Sequence, residues 1–295
     1  MWGTPQGFVQ YPQAFYPGYS QQGNPQLQPA RPASAAGRGK MGQQNTKQQR
    51  LDNAAKTGVF ALQDKNLMSF PDNALQIPNL RTLHIENCGL RMLPSEVANH
   101  KDSLQRLKMP RNKLEHIPET LSRLQVLQQL DLSGNKLSSL PEIFMGMAKL
   151  KELSLARNML GMLPGSIAAL ESLKVLDLSS NRLVTLPDGL GQLKNLEDLE
   201  INTNRLVRLM GDCKGLERLR RVNAENNKLD AVPVSLLRDT KVEIVKIANN
   251  PLKSLEGVEG YEEYNERYQK RRDKETDSRI GTGDLSAGMG ALKVK

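Results

Sequence analysis

Leu127-Gln128-Gln129-Leu130-Asp131-Leu132-Ser133-Gly134-Asn135-Lys136-Leu137-Ser138-Ser139-Leu140-Pro141 is the stretch that decides the fold, because the chain repeats its frame twice more. Leu150 to Pro164 and Leu173 to Pro187 carry the same leucines, asparagine and Leu-Pro pair in the same order. Asn135, Asn158 and Asn181 lie 23 residues apart. A fixed period of this length predicts a stacked solenoid, in which each turn covers the apolar face of its neighbour. The frame continues outward, with Asn112 before it and Asn204, Asn227 and Asn250 after it. Cys88 and Lys65 hold the asparagine slot in the two earliest turns. One extra residue separates Cys88 from Asn112, in a loop placed at Asn99-His100-Lys101-Asp102-Ser103.

The pattern L-x-x-L-x-L-x-x-N-x-L resembles the leucine-rich repeat. It predicts an α/β solenoid: a curved parallel sheet of about eight 23-residue repeats after a degenerate first turn. The strand leucines point inward, and the arc carrying the Leu-Pro pair crosses the convex side. After each strand the chain turns inward, so peptide groups are buried that a short amide must bond. A buried group left unbonded costs roughly 1–3 kcal/mol. Pro94, Pro118, Pro141, Pro164, Pro187 and Pro233 set the backbone where each convex arc begins.

The chain has 295 residues, a formal net charge of +9 and 12 aromatic residues, six of them among the first 20. The core must therefore be aliphatic. The expected organisation is a disordered Gln/Pro/Tyr-rich leader over 1–45, a repeat domain over 46–272 and a disordered tail over 273–295. Within the domain, a helical cap is expected over 46–58, repeats over 59–257 and a cap helix over 258–272. Tyr261, Tyr264 and Tyr268 recur on one face of that last helix, placed to cover the final leucine layer. Two cysteines without flanking clusters argue against a disulfide-capped extracellular domain, and no apolar run reaches membrane-spanning length. The expected compartment is the cytoplasm.

Residues 1–50 hold five basic residues and no acidic one, which first reads as a solvated tail. Met41-Gly42-Gln43-Gln44-Asn45-Thr46 matches the Met-Gly-x-x-x-Ser/Thr pattern for N-myristoylation, with Lys47 and Arg50 behind it. Gly42 is a lipidation site only if translation starts at Met41, since acylation needs a free N-terminal glycine. That form would make peripheral contact with a membrane.

Side chains alternate along a strand, so two positions per repeat face out on the concave side. The inner row reads His84, Lys108, Asp131, Ser154, Asp177, Glu200, Asn223 and Lys246. The second row reads Thr82, Arg106, Gln129, Glu152, Val175, Asp198, Arg221 and Ile244. Charge is segregated along them. Arg106 and Lys108 are basic at the start, Asp131, Glu152, Asp177, Asp198 and Glu200 acidic in the middle, and Arg221 and Lys246 basic at the end. These nine residues form the candidate partner-binding face, its acidic band suited to a basic segment of a protein partner.

Catalytic and metal signatures are missing. There is no C-x-x-C, H-E-x-x-H, P-loop, G-x-S-x-G or G-x-G-x-x-G pattern. His84 and Cys88 are four apart, but Cys88 should point into the core. The reading is a non-enzyme, without cofactor or metal, and a monomer.

The Leu-Pro-bearing frame resembles the repeats of the intracellular Ras-scaffold and Ras-suppressor proteins. Lys56-Thr57-Gly58-Val59-Phe60 before the repeats, and Glu259-Gly260-Tyr261-Glu262-Glu263-Tyr264-Asn265-Glu266-Arg267-Tyr268 after them, resemble the family of leucine-rich repeat-containing protein 57. The resemblance covers roughly Met41 to Arg272 and implies a non-catalytic interaction protein with a Met-Gly start. The expected function is a scaffold or adaptor in signal transduction that binds a partner across its concave strands. The alternatives are a regulator of a small GTPase or phosphatase pathway, and an RNA-associated protein acting through its leader, although nucleic acid is the less favoured partner.

Overall fold

The computed structural model describes residues 39–281, with side chains described over 48–274. The chain divides into two units between Gln43 and Gln44. Of the first unit, only residues 39–43 are described, as the first turn of a helix. The expected disorder of residues 1–38 and 282–295 lies outside the described residues.

The second unit is a single sheet of nine parallel strands in chain order. They are β1 (Val59–Gln63), β2 (Thr82–Glu86), β3 (Arg106–Lys108), β4 (Gln129–Asp131), β5 (Glu152–Ser154), β6 (Val175–Asp177), β7 (Asp198–Glu200), β8 (Arg221–Asn223) and β9 (Ile244–Lys246). Each strand pairs with the next one repeat on, so that Leu107, Leu130, Leu153, Leu176 and Leu199 stand side by side in register. All five are buried, within one continuous aliphatic core. The convex side carries single 3-10 turns. Those at Ser95–His100, Glu119–Arg123, Gly165–Ala169 and Asp188–Gln192 each follow a proline in extended conformation. The extra residue between Cys88 and Asn112 is absorbed in this arc, where the Ser95–His100 turn is six residues long. The repeat with Leu209-Met210 in place of Leu-Pro forms no such turn, since nothing pre-sets φ there.

The asparagines knit the turns together. Asn158 Oδ1 accepts the Leu137 N–H at 3.1 Å, and its Nδ2 donates to the carbonyls of Leu132 and Leu155, both at 3.0 Å. Each amide thus joins its own repeat to the preceding one. Asn135 and Asn181 make the same three bonds one repeat away on either side. In the earlier slot the Cys88 thiol donates to the Glu86 carbonyl at 3.1 Å, while the Cys88 N–H is accepted by Asn112 Oδ1 at 3.0 Å.

One regularity escaped the sequence reading. The residue before every slot has a left-handed backbone: Asp64, Asn87, Arg111, Gly134, Arg157, Ser180, Thr203, Asn226 and Asn249, with φ between 49° and 66°. Six of the nine are glycine, asparagine, aspartate or serine, which tolerate this region. That bias was the available signal.

Helices close the unit. α1 runs Gly39–Thr57, starting earlier than the expected 46–58 because Lys40, Met41, Gln43 and Gln44 are good helix formers. Its Ala54 is buried and Leu51 packs on the core. After the short α2 (Val234–Arg238), α3 runs Tyr261–Gly281, past the expected end at 272. Its charged continuation contains no helix breaker. Tyr264 is buried, with Tyr261 and Tyr268 against the same core, and the three rings stack in sequence at 6.3 and 6.2 Å. No described helix is long and apolar enough to cross a membrane.

Candidate functional site

The register of the strands places both predicted rows on one face. Lys108 pairs with Asp131, Asp131 with Ser154, Ser154 with Asp177, Asp177 with Glu200, and Glu200 with Asn223, followed by Lys246. The second row runs from Arg106 through Gln129, Glu152, Val175 and Asp198 to Arg221. Neighbouring strands lie about 4.8 Å apart, so charges one or two repeats apart interact directly.

Not all of the predicted residues are available to a partner in the same way. Asp198 is clamped by Arg221, with Nε–Oδ1 and Nη2–Oδ2 both 2.6 Å. A bidentate pair of this kind is among the stronger ion pairs, and it neutralises one acid of the central band with one base of the distal group. Asp131 and Asp177 each use Oδ1 locally, accepting the N–H and hydroxyl of the serine two residues on, at 3.0 and 2.7 Å. Their second oxygens take no part in those bonds. Glu152 accepts from the Gln129 amide. Among the described residues Asp131, Glu152, Asp177 and Glu200 have no ion-pair partner. Burial pushes the Glu200 carboxyl above its usual range. The nearby Asp177 and Asp198 add to that, while the Asn223 amide and Lys246 oppose it. Lys108 and Arg106 lie at the opposite end of the acidic band, with His84 3.3 Å from Glu86 in the neighbouring strand. Gly42 falls within the backbone of α1.

The arrangement suits recognition more than chemistry. Cys88 and Cys213 are buried, and burial pushes the Cys213 thiol up to about 11, far from a reactive thiolate. Among the described residues no group of three or more His, Cys, Asp or Glu is placed to hold a metal ion.

A family profile for the leucine rich repeat matches residues 78–137, 140–183 and 171–229, together more than half of the chain. The chain is a leucine-rich repeat protein. Solved leucine-rich repeat structures share the architecture. One is a leucine-rich repeat protein of Leptospira interrogans, 27% identical, with a TM-score of 0.52 over 70% of this chain and 64% of that one. A second is the ectodomain of the Arabidopsis thaliana receptor kinase GASSHO1/SCHENGEN3 in complex with Casparian strip integrity factor 2. It is 27% identical, with a TM-score of 0.56 over 62% of this chain and 23% of that one. A third is the plant peptide hormone receptor RGFR1 in complex with RGF2, 25% identical, with a TM-score of 0.55 over 62% and 30%. The chain spans less than two thirds of the length of each of these structures. No curated protein sequence matches it. Leucine-rich repeat domains generally mediate protein–protein interaction, and the fold is typically a binding scaffold without enzymatic activity.

Proposed function

We propose that this leucine-rich repeat protein is an intracellular adaptor that captures a basic segment of a protein partner on the acidic centre of its concave strands. The observation that carries this is the stacking of Asp131, Glu152, Asp177 and Glu200 on adjoining strands, none of them in an ion pair among the described residues. A row of like charge on a concave face raises the local potential and draws a complementary cation. The similar plant receptor structures, a peptide hormone receptor in complex with RGF2 and a receptor kinase ectodomain in complex with Casparian strip integrity factor 2, support a peptide-capture role for such an arc.

The test must remove charge without removing acceptors, because Asp177 also bonds Ser179 and Glu200 bonds Asn223. The double variant Asp177→Asn, Glu200→Gln is expected to bind a lysine-rich peptide about tenfold more weakly, a loss of about 1.4 kcal/mol, with melting temperature kept or raised. Unchanged capture would rule this face out.

The end phrases similar to leucine-rich repeat-containing protein 57 support a further element of the reading, a lipid-anchored form beginning at Met41. Mass spectrometry of the endogenous N-terminus decides it: a myristoylated Gly42 supports the anchor, and an intact Met1 form alone ends it.

A further inference from the structure

Each repeat contains a second stacked ladder just beyond the asparagine. The N–H of Lys136 donates to Leu114 O at 2.9 Å, that of Met159 to Leu137 O at 2.8 Å, that of Arg182 to Leu160 O and that of Arg205 to Leu183 O, both at 2.9 Å. The intervening leucines, Leu137, Leu160, Leu183 and Leu206, are buried. On either side of these leucines Lys136, Arg182, Arg205, Val184 and Val207 are exposed, on the lip just beyond the strands. Two tracks result. Lys136, Arg182 and Arg205 form the first, in which the intervening repeat holds Met159; Arg157, two residues before it, adds a cation next to the track, and all four cations are exposed. The second is apolar: Val184 and Val207 are 48% and 41% exposed, and the Val207 N–H reaches Val184 O at 3.4 Å. Gly161 holds the same place one repeat earlier, and Met162 beside it is 70% exposed.

Across the four central repeats, residues 133–139, 156–162, 179–185 and 202–208 contain five cations and no acidic residue. None of Lys136, Arg157, Arg182 or Arg205 takes part in an ion pair among the described residues. This differs from the concave floor beside it, which is acidic. We infer that the lip is a second docking surface, for an extended acidic segment of a protein partner in which acidic side chains alternate with apolar ones. Such a segment laid across the repeats sends alternate side chains to opposite sides, acids to the cation track and apolar groups to Val184, Val207 and the adjacent Met162. The occupant is not the chain's own leader, because residues 1–50 contain no acid. Single-stranded nucleic acid fits the charge but lacks the stacking platform it uses elsewhere. Among the described residues Phe60, Phe70 and Phe144 are buried and the three tyrosines lie on α3.

Fluorescence anisotropy with a labelled peptide of about ten residues alternating Glu and Leu tests this, in about 150 mM salt so that distant charges are screened. The full chain is expected to bind it. Arg182→Glu with Arg205→Glu should weaken binding by at least about tenfold, and Val184→Ser with Val207→Ser by severalfold. Asp177→Asn with Glu200→Gln should keep or tighten it, which separates this surface from the concave floor. Both lip pairs are exposed, so melting temperatures near that of the parent show that the variants are folded, and either pair decides the question. No binding by the parent chain, or binding unaffected by the lip variants, overturns the inference. So does a polyglutamate peptide or an oligothymidylate that binds as tightly as the alternating one.

Discussion

Asn158 shows what one side chain contributes to this fold. Replacing it with alanine orphans the Leu137 N–H in a site only 7% exposed, while the Leu132 and Leu155 carbonyls keep the amides of Asn135 and Asn181. At roughly 1–3 kcal/mol for one orphaned buried donor, the loss should be about 2 kcal/mol. Asn204 makes the same bonds in a half-buried place, where water can replace its amide in the alanine variant. Urea titration should therefore show Asn158→Ala clearly the more damaging of the two. Glu200 makes the opposite kind of contribution. Its folded carboxyl titrates above the usual value because of burial, so the folded state holds the proton more tightly than the unfolded chain. The stability this gives is complete below the ordinary carboxylate value of 4.5. It is lost as pH rises through the folded value. Glu200→Gln should abolish that slope and raise the melting temperature at neutral pH relative to the parent, measured as melting curves across the acid-to-neutral range.

At the scale of elements, the last strand is an edge that α3 seals. The Tyr264 hydroxyl accepts the Val245 N–H at 3.3 Å, and Arg267 donates to Val242 O at 3.0 Å and to Leu237 O. Burial lowers the pKa of the guanidinium, opposed by Glu263, Tyr264 and Glu266, so it stays charged and its bonds offset its desolvation. Arg267→Met removes those bonds and leaves two carbonyls unmet. The expected cost is about 2 kcal/mol, with faster hydrogen exchange at Val245 and in the rest of β9 (Ile244–Lys246). The periodic tyrosines made this cap legible in the sequence. The role of Arg267 was not, because a cation in a charged helix is usually a solvated one. The convex arcs were legible through their prolines, and the irregular arc after Leu209 could be read from the missing one.

For the molecule as a whole, a solenoid's stability is close to a sum of repeats and neighbouring interfaces, so damage at one end stays near that end. Its two buried thiols report this. Cys88 lies beside β2 (Thr82–Glu86) and Cys213 before β8 (Arg221–Asn223), and burial raises both thiols above the usual range. Alkylation should then wait for local opening. In Arg267→Met, Cys213 is expected to label faster while Cys88 keeps its rate; equal acceleration of both would show one all-or-none unit instead. The 23-residue period by itself determined the nine-strand order, the register, the leucine layers and the asparagine ladder. Burial and backbone bonding dominate the energy, and both recur from turn to turn. Only the tertiary structure decided how the exposed charges are used: Asp198 committed to Arg221, Asp131 and Asp177 half-spent on serines, and the lip cations free of ion pairs. Surface pairings are worth about 0–1 kcal/mol and depend on the reach and rotamer of each side chain, so the repeat that fixes the backbone leaves them undetermined.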